Sequence, residues 1–543
     1  MNGNVDRRTN ERVGGTGKTV EQESETAAMK KFYIETVGCQ MNTLDSELAA
    51  AELISAGWER TETRKDAALL LFNTCSVREH AEEKIYSALG RLNHWKTQKP
   101  GSLIGVMGCM AQKDQTTIFR RAPHVDVVVG PGQIDRLVDL VADAAATGTQ
   151  QIAVSVNRFE NRNAPGAVRD SFRQHDPKRL PGVRPRVFQA MVRIMFGCNK
   201  FCSYCVVPSV RGPEQSRPPK DILNEIRTLA DQGCVEVTLL GQTVDSYRYV
   251  EGEKTTRLAD LLVEIDKIPG IRRVRFVSSY PTDMSDALLQ AVRDLPTATP
   301  YLHVPAQHGS NAVLERMRRR YTVEEYKDLC DRIYETIPGA AITSDFIVGF
   351  CGETEEEFAQ TAELIKYARF KNSFIFKYSV RPGNEAARTM VDDVPEEVKK
   401  RRNNELLAVQ DAICAEWNAS FVGKTVEVLV EGPSKKEARQ TTSNADEALY
   451  ADAEPLEATV DATGNVAPIP PQTSAGQVVS AEEMLAASRP GVWAPSDEIV
   501  QLTGRTPCDR VVVFNGPRSL AGEFRQVKIT DGSPFTLMGE LAD

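Results

Sequence analysis

An α/β protein with three domains is predicted by this sequence: an N-terminal open parallel α/β sheet, a (βα)6 partial TIM barrel and a small C-terminal all-β barrel. Three observations lead to this prediction. The chain has 543 residues, which is too many for a single hydrophobic core. Strand-like apolar segments alternate with helical ones in two separate blocks, and mainly strand-like segments follow the second block. Hydrophobic residues make up 41% and charged residues 26% of the chain, as in ordinary globular proteins.

The first 29 residues are polar and contain no apolar stretch of the kind found in secretory signals. We predict that residues 1–29 form a disordered leader. No run of about 20 apolar residues occurs, so the sequence predicts no membrane span and no membrane partner. The eleven cysteines lack paired extracellular spacing, which indicates a reducing, cytoplasmic setting and metal ligation rather than disulfides.

The first α/β block, residues 30–147, has a cysteine after each of three predicted strands. We expect strands at residues 31–37, 67–72, 103–107 and 125–129, and helices that begin near Asp45 and Arg78. Cys39, Cys75 and Cys109 are 36 and 34 residues apart and directly follow the first three strands. The carboxyl ends of parallel strands meet at one edge of a sheet. We therefore predict that these strand-end cysteines bind an iron–sulfur cluster, although each alone would be read as a small buried hydrophobe.

The second α/β block, residues 184–419, contains six predicted strands separated by helices, and a loop-like linker precedes it. The strands are expected at residues 189–195, 235–240, 274–278, 301–304, 341–348 and 374–378. Helices are expected at residues 220–232, 322–336 and 355–368, and a charged helix at 395–418 follows the last strand. Six such units predict a partial parallel barrel with a lateral opening for a large substrate. Barrel chemistry is found at the carboxyl ends of the strands.

The loop after the first barrel strand carries three further cysteines, Cys198, Cys202 and Cys205, in a C-x3-C-x2-C pattern. A structural zinc site normally takes four ligands, and no histidine lies between residues 188 and 250 to complete one. Three thiolates instead suit a [4Fe–4S] cluster that keeps one iron open for a substrate or cofactor. These loop cysteines therefore predict a catalytic cluster, and the remaining alternative is a zinc knuckle or redox pair around Cys202 and Cys205.

The C-terminal block, residues 420–541, is predicted to be a β-barrel interrupted by a disordered acidic insertion. Strands are expected at residues 424–431, 499–514 and 525–530. Residues 436–500 contain eleven acidic and three basic residues and are rich in Ala, Thr and Pro, a composition that does not order itself. This insertion accounts for most of the net charge of −9. The rest of the chain is nearly neutral and has local arginine clusters at 184–193 and 316–320, which are weak signs of an RNA partner.

The cysteine motifs and their surroundings closely resemble the radical S-adenosylmethionine (SAM) methylthiotransferase family, from about residue 31 to residue 541. GCQMN at residues 38–42 and NTCSVR at 73–78 resemble the branch that modifies isopentenyladenosine in tRNA. So do CVVP at 205–208, RG at 211–212 and EGPSKK at 431–436. The sequence departs from the family pattern at Thr243 and Asp245, where Asn is expected, and at His308, where Ser is usual.

The resemblance implies a transferase of alkylthio groups that adds a methylthio group at C2 of N(6)-isopentenyladenosine at tRNA position 37. It implies two [4Fe–4S] clusters, one held by the loop cysteines together with SAM and an auxiliary one held by the strand-end cysteines. One SAM would methylate a sulfur at the auxiliary cluster, and a second would be cleaved reductively to a 5′-deoxyadenosyl radical. A C-terminal TRAM domain would help to hold the tRNA, with Arg505, Arg510 and Arg518 as possible phosphate contacts.

A low-potential electron donor such as flavodoxin or ferredoxin is also expected, and we predict a monomer. Gln242, Ser279 and Glu353 lie near predicted strand ends and are candidates for contacts with SAM. Two alternatives remain at this stage. The acceptor could be threonylcarbamoyl-adenosine in tRNA or an aspartate of a ribosomal protein, or the chain could be a non-catalytic iron–sulfur RNA-binding or electron-transfer protein.

Overall fold

The computed structural model describes residues 30–76, 79–155, 179–437 and 497–542. The predicted leader and nearly all of the predicted insertion lie outside the described residues. Ile499 and Val500, which the predicted boundary assigned to the insertion, instead begin a strand. No helix in the described ranges is both long and apolar enough to cross a bilayer.

The N-terminal domain is a six-stranded sheet in which all neighbouring strands are parallel, in the order β2-β1-β3-β4-β5-β6. The two central strands are buried throughout, as their continuous apolar runs predicted. The strands are β1 Lys31–Val37, β2 Glu59–Arg60, β3 Leu69–Thr74, β4 Leu103–Gly108, β5 Val127–Val129 and β6 Gln151–Ala153. The short strand β6 lies in a segment that was predicted to be a linker. The prediction missed it because β6 is formed by pairing with β5 and has no local strand pattern of its own.

Within the described residues, five helices pack on this sheet, and the first begins earlier than predicted. They are α1 Gln40–Ser55, α2 Glu79–Gln98, α3 Cys109–Asp114, α4 Thr116–Arg121 and α5 Leu137–Thr147. Asp45 resembles a capping residue in the sequence, but it is fully buried inside α1, where it pairs with arginines of the next domain. The prediction of a helix start at Asp45 was therefore wrong, because a long-range ion pair accounts for that carboxylate.

The second domain is the predicted partial barrel. Its six main strands form two three-stranded parallel sheets, β7-β10-β13 and β14-β15-β16, which adjoin through a bridge between Val274 and Ala298. Its strands are β7 Gln189–Arg193, β8 Met195–Phe196, β9 Gln215–Ser216, β10 Glu236–Leu240, β11 Arg248–Glu251, β12 Lys254–Arg257, β13 Arg273–Phe276, β14 Tyr301–His303, β15 Ala341–Val348 and β16 Asn372–Lys377. The β11–β12 hairpin was not predicted.

The helices of this domain surround a single large apolar core. They are α6 Val207–Arg211, α7 Pro219–Asp231, α8 Leu258–Asp266, α9 Asp286–Asp294, α10 Asn311–Arg316, α11 Val323–Thr336, α12 Glu355–Ala368, α13 Glu385–Thr389 and α14 Glu396–Ala419. Both α11 and α12 begin with a capping box, in which Thr322 and Thr354 accept bonds from the backbone N–H groups of Glu325 and Glu357. Single 3-10 turns lie at Ile134–Arg136, Pro181–Val183, Val244–Ser246, Pro281–Asp283 and Arg518–Leu520.

The C-terminal domain is a closed barrel of five strands in the order β17-β18-β19-β21-β20. The strands are β17 Thr425–Pro433, β18 Ile499–Arg505, β19 Val511–Pro517, β20 Phe524–Gly532 and β21 Leu537–Leu541. The segment predicted as one strand at 499–514 is a hairpin, whose turn places Asp509 at a left-handed φ of 62°. The all-β prediction is confirmed, and β21 is an addition to it.

This small barrel docks on the amino ends of the partial-barrel strands through buried ion pairs. Asp509 accepts bonds from Arg275 (3.0 Å), Arg505 (3.1 Å) and Lys371 (3.2 Å). Arg275 also pairs with Glu236, the first residue of β10. The opposite, carboxyl ends of the strands are therefore free of this domain, and the loop cysteines follow one of them.

Candidate iron–sulfur sites

The strand-end cysteines lie side by side at one edge of the N-terminal sheet. Strand register places Val37, Thr74 and Gly108 in one row across β1, β3 and β4, and each cysteine follows that row by one or two residues. The backbone is tight here, because a Cβ added at Gly38 would stand 2.6 Å from the Cβ of Cys75. The convergence predicted from the spacing therefore holds at the level of the backbone.

A buried amide pair fixes this edge. Asn42 Nδ2 donates to Asn73 Oδ1 (2.9 Å), and Asn73 Nδ2 donates to the carbonyl of Asn42 (2.7 Å). Gly108 packs tightly against this amide pair, because a Cβ at residue 108 would lie 2.3 Å from Asn73 Oδ1. Contacts from α1 and β3 thus hold together the three strand ends that the cysteines follow.

The electrostatics of these thiols differ from one another. A hydrogen bond from Cys75, helped by the charge of Arg211 and by backbone N–H groups at the start of α1, lowers the pKa of Cys39 to about 6. Burial raises the pKa of Cys109, although Arg211 Nε donates to its sulfur at 3.3 Å. The surroundings therefore favour the thiolate at Cys39, and the sulfur of Cys109 has a cation against it.

Each of the loop cysteines accepts one N–H group at its sulfur. The backbone N–H of Lys200 donates to Cys198 and that of Val207 donates to Cys205, both at 3.4 Å. Arg319 Nη1 donates to Cys202, also at 3.4 Å. Such donors stabilise thiolate charge, and hydrogen bonds to sulfur are a common feature of iron–sulfur sites.

The loop conformation depends on close backbone packing and on burial. Cys198 N donates to the carbonyl of Gly212 (3.1 Å), and a Cβ at Gly197 would stand 2.1 Å from the carbonyl oxygen of Pro213. Only glycine fits at residue 197, which also has a φ of 71°. Burial raises the pKa of Cys198 to about 11 and that of Cys205 to about 12, so these thiols need a cation or metal to ionise.

Both cysteine groups suit a four-iron cluster better than a single metal ion. No three His, Cys, Asp or Glu side chains of the described ranges converge as ligands of one ion. A four-iron cube does not require this, because each iron takes its own cysteine. Around Cys75, Thr74 Oγ1 and Ser76 Oγ are buried without a hydrogen-bond partner among the described residues, which is consistent with a group that binds beside them. The donor sets and their surroundings therefore fit.

One side chain that the sequence reasoning missed lies between the two groups. Arg211, at the end of α6, contacts Cys109, and its Nη2 donates to Asp45 Oδ2 at 2.7 Å. Arg193 donates to Asp45 Oδ1 at 3.2 Å. In the sequence, Arg211 reads only as part of a motif after the cysteine loop, and its contact with the other domain requires the fold.

The three residues predicted to contact SAM differ in their surroundings. Glu353 accepts from His308 Nε2 and from Arg402 Nη1, both at 2.9 Å, in a fully buried network, which explains how His308 is accommodated but gives Glu353 no free carboxylate for SAM. Ser279 is buried near the carboxyl end of β13, and Gln242, which follows β10, is half-buried.

The arginines proposed as RNA contacts in the C-terminal barrel also have protein partners. Arg510 is buried and donates to Asn418 Oδ1, so its prediction as a phosphate contact was wrong. Arg505 pairs with Glu431 and Asp509, and Arg518 pairs with Glu498. The arginine clusters seen in the sequence behave similarly, since Arg316 pairs with Glu357 and Arg318 with Glu385. These arginines therefore have carboxylate partners within the chain, which range from the buried Glu431 to the exposed Glu498.

Comparison with known proteins gives matches to all three domains. Residues 31–130 match the family described as Uncharacterized protein family UPF0004, residues 192–365 the Radical SAM superfamily, and residues 496–542 the TRAM domain. A relative from Rhodopirellula baltica, tRNA-2-methylthio-N(6)-dimethylallyladenosine synthase, is 49% identical over 94% of this chain and 95% of its own. Relatives with the same name from Bordetella petrii and Protochlamydia amoebophila are 39% and 38% identical, over 95% of this chain and 92% and 97% of theirs. Among solved structures, a radical S-adenosylmethionine methyltransferase, TsrM, from Kitasatospora setae gives a TM-score of 0.45 at 14% identity, covering 66% of this chain and 74% of that one.

Proposed function

This chain belongs to the tRNA-2-methylthio-N(6)-dimethylallyladenosine synthase family of radical SAM enzymes, and we propose that it carries out that reaction. Its substrate is tRNA, and its product carries a methylthio group at C2 of the N(6)-isopentenylated adenosine at position 37. Its cofactors are SAM and [4Fe–4S] clusters. The observation that supports this most directly is the pair of three-cysteine groups in one chain, each with room in its ligand set for an open iron.

We assign the radical SAM cluster to the loop cysteines and the auxiliary cluster to the strand-end cysteines. The C2–H bond of adenine is aromatic and unactivated, so a positioned acid or base is of little use against it. The bound cofactors supply the hard chemistry, namely reductive cleavage of SAM to a carbon radical and delivery of the methylthio group, with two SAM consumed per turnover. The protein supplies ligands, orientation and charge.

The side chains around the loop cysteines hold the radical site in place. Ser203 Oγ donates to the carbonyl of Arg316 (2.8 Å), and Ser203 N donates to that of Met317 (3.0 Å), which ties the loop to the turn that follows α10. That same turn presents Arg319 to Cys202. The loop and the cation that contacts Cys202 are therefore fixed to the same turn.

The C-terminal TRAM barrel is proposed to hold part of the tRNA outside the reacting nucleotide. Strand β20 carries two exposed cations, Arg525 and Lys528, which suit phosphate contacts better than the buried Arg510. Arg525 pairs with Glu523, but both side chains of this pair are exposed. A low-potential donor such as flavodoxin or ferredoxin would reduce the radical cluster. We propose that the enzyme acts as a monomer in the cytoplasm.

An anaerobic assay for 5′-deoxyadenosine, followed by mass spectrometry of nucleosides from the tRNA, tests this function. With reconstituted enzyme, SAM, reductant and tRNA that carries isopentenyladenosine, we expect 5′-deoxyadenosine and the 2-methylthio nucleoside together. Unmodified tRNA and tRNA with threonylcarbamoyl-adenosine serve as matched substrates and should give no methylthio product. Product only from the latter, or no cleavage of SAM at all, would contradict the assignment.

A further inference from the structure

Arg211 is placed so that one short segment contacts both cysteine groups. Its Nε donates to Cys109 Sγ at 3.3 Å, in the strand-end group. The carbonyl of the next residue, Gly212, accepts the backbone N–H of Cys198 at 3.1 Å, in the loop group. The backbone of the segment therefore belongs to the radical site, while its one charged side chain belongs to the auxiliary site in another domain.

The guanidinium of Arg211 is held rigidly and out of water. Its side chain is 2% exposed, and Asp45, which accepts its second bond, is 0% exposed. Asp45 is shared with Arg193, so two cations face one carboxylate. Both guanidinium groups also lie over the ring of Phe196, at 5.3 Å for Arg193 and 5.5 Å for Arg211. Two guanidinium groups therefore share one buried carboxylate, and one of them also places its Nε at the sulfur of Cys109.

A fixed positive charge and an N–H donor at a ligand sulfur favour the more negative, reduced state of a cluster. Hydrogen bonds to sulfur, net charge and solvent exposure are the main protein controls on cluster potential. The effect of a charge is larger where water is excluded, because the local dielectric constant is low. Arg211 supplies a positive charge and an N–H donor to Cys109 at a position from which water is excluded.

We propose that Arg211 is a positioning residue that orients Cys109 and raises the reduction potential of the auxiliary cluster. This inference rests on the proposed function, in that the strand-end cysteines must hold a cluster. Arg319 is the counterpart at the other site, where it donates to Cys202 and lies 4.3 Å from the ring of Tyr280. Each cysteine group thus has its own arginine, and Arg319 serves as the control for Arg211.

The test uses full-length protein in which the loop cysteines are replaced by alanine, so that only the auxiliary cluster assembles. Arg211→Gln, Arg211→Lys, Asp45→Asn and Arg319→Gln are made in this background and reconstituted anaerobically. Iron content and the midpoint potential, from redox titration followed by electron paramagnetic resonance, are measured for each.

Opposite shifts are expected for the two partners of the Arg211–Asp45 pair. Arg211→Gln should move the potential to more negative values, Arg211→Lys should restore part of that shift, and Asp45→Asn should move it to more positive values because a buried negative charge is lost. Arg319→Gln should leave the potential unchanged. A purely structural contact between the domains would not shift the midpoint potential in opposite directions in Arg211→Gln and Asp45→Asn.

The inference is overturned if Arg211→Gln retains iron at the parental potential, or if Arg319→Gln shifts it equally. Should Arg211→Gln lose its iron, Arg211→Lys shows whether a cation alone restores the cluster, and Asp45→Asn decides the sign: a potential above the parental value supports the inference, and an unchanged or lower potential overturns it. If both lose iron while Arg319→Gln keeps it, the positioning role is supported and Asp45→Asn tests the sign. A parent protein that binds no iron would instead refute the proposed cluster site itself.

Discussion

Replacement of Asp509 by asparagine is expected to loosen the TRAM barrel from the catalytic domain. Asp509 is the carboxylate on which Arg275, Arg505 and Lys371 converge, at 3.0, 3.1 and 3.2 Å. Asparagine keeps nearly the same shape and tolerates the left-handed backbone of this turn, at a φ of 62°. The substitution therefore removes the charge with little change in packing.

The free-energy cost of the substitution depends on the cations that lose Asp509 as a partner. Three cations would face one neutral amide, and the side chains of Arg275 and Lys371 are 6% and 7% exposed. Arg275 and Arg505 keep Glu236 and Glu431 as partners, so Lys371 is the cation that loses its carboxylate. Removing one partner of a buried ion pair costs about 3–5 kcal/mol. That corresponds to roughly a hundredfold or greater rise in the opening of the interface.

The pH dependence has a definite sign. Burial would raise the pKa of Asp509, but Arg505, Lys371 and Arg275 outweigh it and hold this pKa well below its usual range. A lowered folded-state pKa contributes stability above the unfolded-state value of about 3.9, and this contribution is lost as the pH falls through the folded-state value. The difference between the parent protein and Asp509→Asn should therefore be full at pH 7 and should shrink below about pH 4.

Hydrogen exchange followed by mass spectrometry measures this locally. Peptides from β17 to β21 and from the amino ends of β10 and β13 should exchange faster in Asp509→Asn, while peptides of the N-terminal sheet should not. Asp294→Asn is the matched control, because Asp294 forms an exposed pair with Arg293 and its replacement should change nothing measurable. Unchanged protection of the barrel at pH 7 would refute the reasoning.

The remaining predictions concern the clusters and the insertion. Six of the eleven cysteines should hold about eight irons per chain, so alanine at any of the other five should leave iron content intact, and a content of about four would exclude two clusters. These five are Cys234, Cys330, Cys351, Cys414 and Cys508. Alanine at all loop cysteines should abolish 5′-deoxyadenosine formation while auxiliary iron remains. Alanine at all strand-end cysteines should preserve that cleavage and remove methylthio product, and product that persisted would make this group structural. Deletion of residues 437–495 with a Gly/Ser bridge should leave iron content unchanged and tRNA affinity equal or slightly higher at low salt, and a large loss of binding would show that the insertion is functional.

The sequence predicted the fold and the cysteine groups because both depend on local patterns. Continuous apolar runs marked the buried parallel strands, and cysteines at regular intervals after them predicted one shared edge. It did not predict the roles of Asp45, Arg211 and Asp509, because the meaning of a charged side chain depends on its partner. Each of these pairs with residues more than a hundred positions away. The same limit explains Arg510, which reads as a surface cation until the barrel buries it against Asn418.

The TRAM barrel docks on the amino ends of the strands, so its proposed tRNA contact lies on the side of the catalytic domain opposite the cysteine loop. The loop cysteines follow the carboxyl ends of the same layer, and a strand such as β10, with five residues, spans about 16 Å. An isolated nucleoside is too small to reach both faces at once. If the barrel contacts the tRNA as proposed, the RNA has to extend from the amino side to the carboxyl side of the catalytic domain, and its length between these two contacts then limits which substrates fit. Shortened tRNA substrates should therefore lose affinity abruptly once the stem is too short to reach the barrel, rather than gradually with each nucleotide removed.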